Sequence, residues 1–210
     1  MSEFVRYRRL FVVLGVLTAA GSARVLGAEF DFKDPKGVNT ISFTLDSLLE
    51  PFTGMASGIS GKVTFDPADA KATKGTITVE TKSLKLENKG MQETLHGPDW
   101  LDAAKNPKIE FTFKKVTDYK SAGDNVFDLT VVGDMTCKGV TKELTVPVKA
   151  TYLPGKLGER SGKLTGDLLV LRSNFTIARK DFGIKPDMGD KVVAEVIQLG
   201  ISIAGVSPKK

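Results

Sequence analysis

Residues 127–150 read FDLTVVGDMTCKGVTKELTVPVKA. Phe127, Leu129, Val131 and Met135, then Leu144, Val146, Val148 and Ala150, fall mostly on every second position. A strand sends successive side chains to opposite faces, so this period marks a half-buried β-strand. The Lys138-Gly139 pair between the two runs supplies a tight loop, and the stretch reads as a hairpin. It carries almost nothing that could perform a reaction.

The same pattern recurs outward from the hairpin. Ile41, Phe43 and Leu45 alternate with Ser42, Thr44 and Asp46. Residues 61–65 (GKVTF) end in the turn signal Asp66-Pro67-Ala68-Asp69. Residues 76–81 (TITVET) and 108–113 (KIEFTF) alternate again, the latter with Ile109, Phe111 and Phe113 on one face. Residues 164–171, 175–177 and 191–204 add more. Only 84–106 departs from period two: Met91, Leu95, Trp100, Leu101 and Ala104 predict one or two helical turns, ended at Asn106-Pro107. Pro147 cannot donate to a ladder, which places it at an edge, a bulge or a strand start. Many short strands with little helix predict a single all-β antiparallel domain of about eight strands, as barrel or sandwich. A barrel of that size has room for one small ligand.

The N-terminus differs. Arg6, Arg8 and Arg9 precede an uncharged run from Leu10 to Ala20, followed by Gly21, Ser22, Ala23, Gly27 and Ala28. A basic segment, a short apolar core and small residues make an export signal over 1–28, with cleavage near 23–28. The run is shorter than the roughly 20 residues of a membrane span. Arg8-Arg9-Leu10-Phe11 keeps the twin-arginine route open beside the general secretory one. No stable membrane anchor is expected, and the mature domain, 29–210, is expected in the periplasm or outside the cell.

The 210 residues carry a formal net charge of +5, but residues 1–28 hold four arginines and one glutamate, which leaves +2 for the rest. Lys and Asp/Glu are interspersed there, without the basic stripe of a nucleic-acid binder. Cys137 is the single cysteine, so no disulfide forms within the chain; it reads as a small apolar side chain at a hairpin.

Catalytic and metal motifs are sparse. His96 is the one histidine, in the turn Leu95-His96-Gly97-Pro98-Asp99, and a hydrolase using His96 with Asp99 is the weakest of three readings. No G-x-S-x-G elbow occurs. One His and one Cys do not make a zinc site, which takes three or four such ligands. Gly54, Gly58 and Gly61-Lys62 do not form a phosphate loop, because Ala56 stands where its first glycine should be and Val63 where Ser or Thr should follow. Arg179-Lys180-Asp181-Phe182-Gly183-Ile184 is either a solvated turn or a cation at a pocket mouth that meets an anionic headgroup. No cofactor is indicated.

Several segments, in order, resemble the YceI-like family of exported polyisoprenoid-binding proteins: 41–45 (ISFTL), 61–67 (GKVTFDP), 100–111 (WLDAAKNPKIEF), 132–136 (VGDMT) with 138–142 (KGVTK), and 179–184 (RKDFGI). The resemblance spans roughly 30–204. It implies a lipocalin-like antiparallel barrel with an apolar interior, associated with long isoprenoid lipids. The family often carries a histidine just before and just after the first strand; here those positions read 37–40 (GVNT) and 46–49 (DSLL), so the ligand is free to differ.

The expected function is therefore non-enzymatic binding, transport or sequestration of an isoprenoid or other long-chain amphiphilic lipid. The candidate lining is Ile41, Phe43, Phe65, Trp100, Ile109, Phe111, Phe113, Phe127, Leu129, Val146 and Val148, with Arg179 for the headgroup. The same apolar residues would serve equally as the filled core of a structural or stress-related module. Monomer and homodimer are both left open.

Overall fold

The computed structural model describes residues 27–162 and 164–209; most of the expected export signal lies outside the described residues. Eleven strands form one antiparallel sheet: β1 (Ala28–Asp31), β2 (Thr40–Ser47), β3 (Phe52–Ala56), β4 (Ile59–Phe65), β5 (Lys74–Glu80), β6 (Leu84–Leu86), β7 (Lys108–Gly123), β8 (Val126–Cys137), β9 (Val140–Leu153), β10 (Gly166–Ala178) and β11 (Val193–Pro208). Eight of them close a ring in the order β1-β4-β5-β7-β8-β9-β10-β11, and β11 returns to β1 through Asp31 and Val206. The expected eight-stranded barrel is thus present. The other three strands, β2-β3-β6, leave the ring as a flap on the opposite half of β11.

The hairpin at 127–150 is two adjacent staves. β8 and β9 pair without a slip from Val126↔Thr151 to Cys137↔Val140. Asn125, Lys138 and Gly139 take left-handed conformations at the turns. The inward parity is the apolar one: Phe127, Leu129, Val131, Met135, Val146, Val148 and Ala150 are all buried. Pro147 sits where the β9–β10 ladder, which runs from Leu153 to Lys149 on β9, has just ended. Its carbonyl accepts from the Ser173 hydroxyl instead. The edge expected of this proline is therefore local, on the β10 side only.

One end of the barrel is shut. Phe30, Phe65, Phe127 and Tyr152 meet there, with ring centroids 5.4 Å apart for Phe65–Phe127 and 6.2 Å for Phe30–Tyr152, both edge-on. Edge-on pairing suits the ring quadrupoles. A short helix, α2 (Leu157–Ser161), covers this end and buries Leu157. Asn39 is buried beside it, donating to the carbonyls of Phe32 and Ala204 and accepting from Ala204 N–H.

The other end is built differently. Beyond Glu80 the chain turns through 81–83 into β6, which pairs with β3, while β5 pairs with β7 up to Glu80↔Lys108. The wall therefore splits between β6 and β7. The split is covered by α1 (Lys89–His96) and the turn after it rather than by strand. Asn88 caps α1, its side chain accepting from Met91 N–H at 3.0 Å, as expected of Asn at an N-cap. The single departure from period two in the sequence is this mouth.

The shut end also holds a charge lock. Asp34 accepts N–H groups from Lys36, Val38 and Asn39 and pairs with Arg160 at 3.2 Å. Burial pushes its carboxyl up, but these donors outweigh it and hold it below the ordinary 3.8. A carboxyl lowered in the folded state adds stability that is present above 3.8 and is lost as pH falls through its folded value. Asp34→Asn should cost about 2 kcal/mol at neutral pH. The gap from the parent should close in thermal melts as pH drops below that range.

Candidate ligand-binding site

Between the aromatic plug and the mouth, the barrel is not filled by its own side chains. An inner chamber of about 140 Å³ lies above the plug and an outer one of about 490 Å³ lies under α1. Both are bordered by Phe43, Leu84, Ile109, Met135 and Leu199, so they adjoin along the bore with those residues as the waist between them. An apolar cavity of about 150 Å³ is already enough to hold a benzene-sized molecule, and ligand pockets commonly run to roughly 300–1,000 Å³.

Strand parity makes the walls apolar. The inner chamber takes Ile41 and Phe43 from β2, Ile109, Phe111 and Phe113 from β7, and Val146 and Val148 from β9. Leu171 and Phe175 of β10 and Ile201 of β11 complete it. Ile41, Ile109, Phe111, Phe113, Phe175 and Ile201 face the interior yet are only half-buried. That is the condition of side chains bordering empty space rather than packed neighbours. Ser173 is the one hydroxyl on the wall, and its donor is used by Pro147.

Two glycines make room for the rings. A Cβ at Gly133 would come within 2.5 Å of the Phe111 ring, and one at Gly54 within 2.4 Å of Phe43. Both glycines occupy inward positions on β8 and β3. Each ring lies back over the missing side chain and leaves the bore open. This is a use of glycine for close approach rather than for an unusual φ.

The outer chamber is lined by Leu45 and Phe52 of the flap, Met91 and Leu95 of α1, Trp100, Leu101, and Cys137 at the tip of β8. Trp100 is buried and its ring stands 5.9 Å from Phe52. No residue of α1 is buried. The helix is held from one side, by His96 Nε2 against the Leu84 carbonyl at 2.9 Å and by Gln92 accepting from Leu86 N–H at 3.4 Å. Burial pushes the Cys137 thiol up to about 12, so it stays protonated and acts as an apolar lining group.

Of the sequence-predicted lining, Ile41, Phe43, Ile109, Phe111, Phe113, Val146 and Val148 meet in the inner chamber and Trp100 in the outer one. Phe65, Phe127 and Leu129 do not border either chamber. They point inward, but at the height of the plug, where they pack in the core with Phe30 and Val63. Arg179 is also displaced from its expected role. It has no exposure, and its guanidinium is spent on the carbonyls of Ile184, Lys185, Met188, Val193 and Ala194, with Asp190 at 3.4 Å. No donor remains for a headgroup. Leu84, Met135, Leu171, Leu199 and Ile201 line the bore and were not singled out. The alternation of 164–171 and 191–204 was the available signal for the last three.

His96 and Asp99 do not form a dyad. The ring bonds to Leu84, and the Asp99 carboxylate pairs with Lys185 at 2.5 Å. Among the described residues, no cluster of His, Cys, Asp or Glu is placed to hold a metal, and no helix is long and apolar enough to cross a membrane.

An antiparallel barrel shut at one end, with an apolar bore entered at the other, defines the class: a small ligand-binding barrel. The YceI-like domain model matches residues 32–204, and the chain belongs to that family. It is 31% identical to Protein YceI of Escherichia coli (strain UMN026) over 156 residues, 74% of each chain. It is 30% identical to a UPF0312 protein of Pseudomonas putida (strain GB-1) over 205 residues, 96% of this chain and 99% of the other. The structure of Burkholderia cenocepacia BcnA is similar, with a TM-score of 0.62 at 25% identity, covering 79% of this chain and 95% of that one. A polyisoprenoid binding domain from Saccharophagus degradans shares the fold at 8% identity, with a TM-score of 0.61 over 86% of this chain and 99% of that one.

The placement of Arg179 has a direct consequence. Arg179→Met strips five carbonyls of their donor, and should destabilise the protein by about 3 kcal/mol in chemical denaturation. A headgroup ligand would behave oppositely, with stability kept and ligand lost.

Proposed function

We propose that the protein is a non-enzymatic carrier that binds the tail of an isoprenoid or similar amphiphilic lipid in its bore and holds it in the periplasm or outside the cell. The observation that carries this reading is the pair of adjoining apolar chambers, blind at the Phe65–Phe127 plug and reaching to α1. A blind bore fixes direction: the tail enters first and the polar end stays at the mouth beside Asn88 and Thr94. The polyisoprenoid binding domain from Saccharophagus degradans, which shares the fold, is consistent with this ligand class.

The energetics need no catalytic group. Burying one CH₂ contributes about 0.8 kcal/mol, so an isoprene unit gives roughly 3 kcal/mol before the cost of ordering the chain. Three units inside the bore would contribute roughly 9 kcal/mol, the scale of micromolar binding before the ordering cost is subtracted. The unfilled interior favours the carrier over a module with a solid core. The engagement of His96 by Leu84 and of Asp99 by Lys185 favours it over a hydrolase.

Native mass spectrometry of protein taken from its own host, with lipid extraction, is expected to show one copurifying prenyl-type lipid per chain. Protein that arrives empty and takes up no prenyl lipid would end the reading. Ile201→Trp places a large ring in the inner chamber from a half-buried position. It should leave the melting temperature nearly unchanged and weaken prenyl-lipid uptake more than a hundredfold, the equivalent of about one displaced isoprene unit.

A further inference from the structure

The turn between β2 and β3 presents two consecutive leucines to solvent. Leu48 is 76% and Leu49 85% exposed, and Val192, 51% exposed, is brought beside them by a hydrogen bond from Leu48 N–H to the Val192 carbonyl at 3.0 Å. The turn is not slack: the Ser47 hydroxyl accepts from Glu50 N–H at 3.0 Å and donates to the Glu50 carbonyl. Leucines carried on a fixed turn and left bare are unusual for a surface that meets only water. Single exposed apolar residues are ordinary, but three on adjoining loops are a patch.

The position of the patch is what assigns a partner. The two strands that carry the turn also deliver Leu45 and Phe52 to the outer chamber. The tip therefore stands at the mouth end of the bore, with two residues between it and the chamber lining on each side. Other exposed apolar residues, such as Val38 and Leu164, stand at the shut end. The charges around the mouth are of both signs and form no basic patch: Asp46, Glu50 and Lys191 flank the tip, Lys85, Glu87, Lys89 and Glu93 lie on β6, α1 and the turn between them, and others are paired. Lys185 pairs with Asp99, Lys180 with Asp190 and Glu195, and Lys105 with Asp102. A rim that is apolar at its tip and of mixed charge around it, with no basic cluster to seek an anionic surface, suits insertion of the leucines into a lipid leaflet.

We propose that the Leu48–Leu49 tip, with Val192, is a membrane-docking device that inserts into a lipid leaflet and sets the mouth of the bore against it. The proposal rests on the carrier reading for its purpose: a tail could then pass from leaflet to bore without crossing water. Insertion is driven by aliphatic burial, so it does not require anionic lipid and survives added salt, which screens only charge.

Flotation of the full protein with phosphatidylcholine vesicles, with and without phosphatidylglycerol, at low and high salt, tests it. The parent should float with both vesicle types at both salt concentrations. Leu48→Ser with Leu49→Ser should reduce vesicle partition about tenfold or more per leucine, while Val38→Ser with Leu164→Ser should change nothing. Neither pair removes a packed side chain. Uptake of a soluble short-chain prenyl alcohol, measured without vesicles, should be the same for the parent and both double variants. Parent protein that does not float, or tip variants that float as well as the parent, would overturn docking whatever the bore binds. Failure of prenyl alcohol uptake with flotation intact would overturn the carrier reading and leave docking standing. A tip variant that dissociates a dimer while flotation is unchanged would assign the tip to a second copy and overturn the proposal.

Discussion

Closure of the sheet is the constraint on which everything else depends. Eight strands joined edge to edge, with β11 returning to β1, commit the positions on one face of the sheet to one enclosed space, apart from β7 beyond Val116, which is exposed on both faces. The sequence supplies apolar residues at nearly all of those positions, as a space without water demands. What then separates core from cavity is volume alone. At one end, Phe30, Phe65, Phe127 and Tyr152 are large enough to meet across the barrel. In the middle, Gly54 and Gly133 withhold side chains, the rings of Phe43 and Phe111 fold back over them, and the centre stays open.

The mouth follows from where the ring stops being a ring. Pairing partners change along the barrel axis: β1, β4 and β5 close the shut end, and β2, β3 and β6 stand in their place at the other. The exchange leaves β6 and β7 unpaired to each other. A short capped helix with no buried residue bridges them, over a stretch of wall that has no strand among the described residues. Arg179, by gathering three carbonyls of the loop before β11 and two at the start of β11, fixes the rim beside it.

Much of this was legible in the sequence. The alternation of 127–150 gave the pairing and the all-β class, and the break in period at 84–106 gave the helical turns that here lie over the mouth; which parity lines a cavity was not legible. Height along the barrel was not legible. Phe127 and Val148 share parity and chemistry, yet one plugs and the other lines, because only the closed geometry places them at different levels. Arg179 was misplaced for a related reason. A cation next to a turn reads as exposed, and the carbonyls that bury it come from a loop up to fifteen residues further on, whose course no local pattern reveals. The β2-β3-β6 flap was also hidden, since alternation shows that a strand exists and not which neighbour it takes.

The claim that a tail lies in the bore and a headgroup at its mouth is tested most directly by photo-crosslinking. Two prenyl alcohols, one with a diazirine at the tail end and one beside the headgroup, would be bound, irradiated and mapped by peptide mass spectrometry. The expected result is tail labelling near Phe111, Leu171 and Ile201 and headgroup labelling on α1 and around Trp100. Both labels on the outer wall, or the two positions interchanged, would contradict the account.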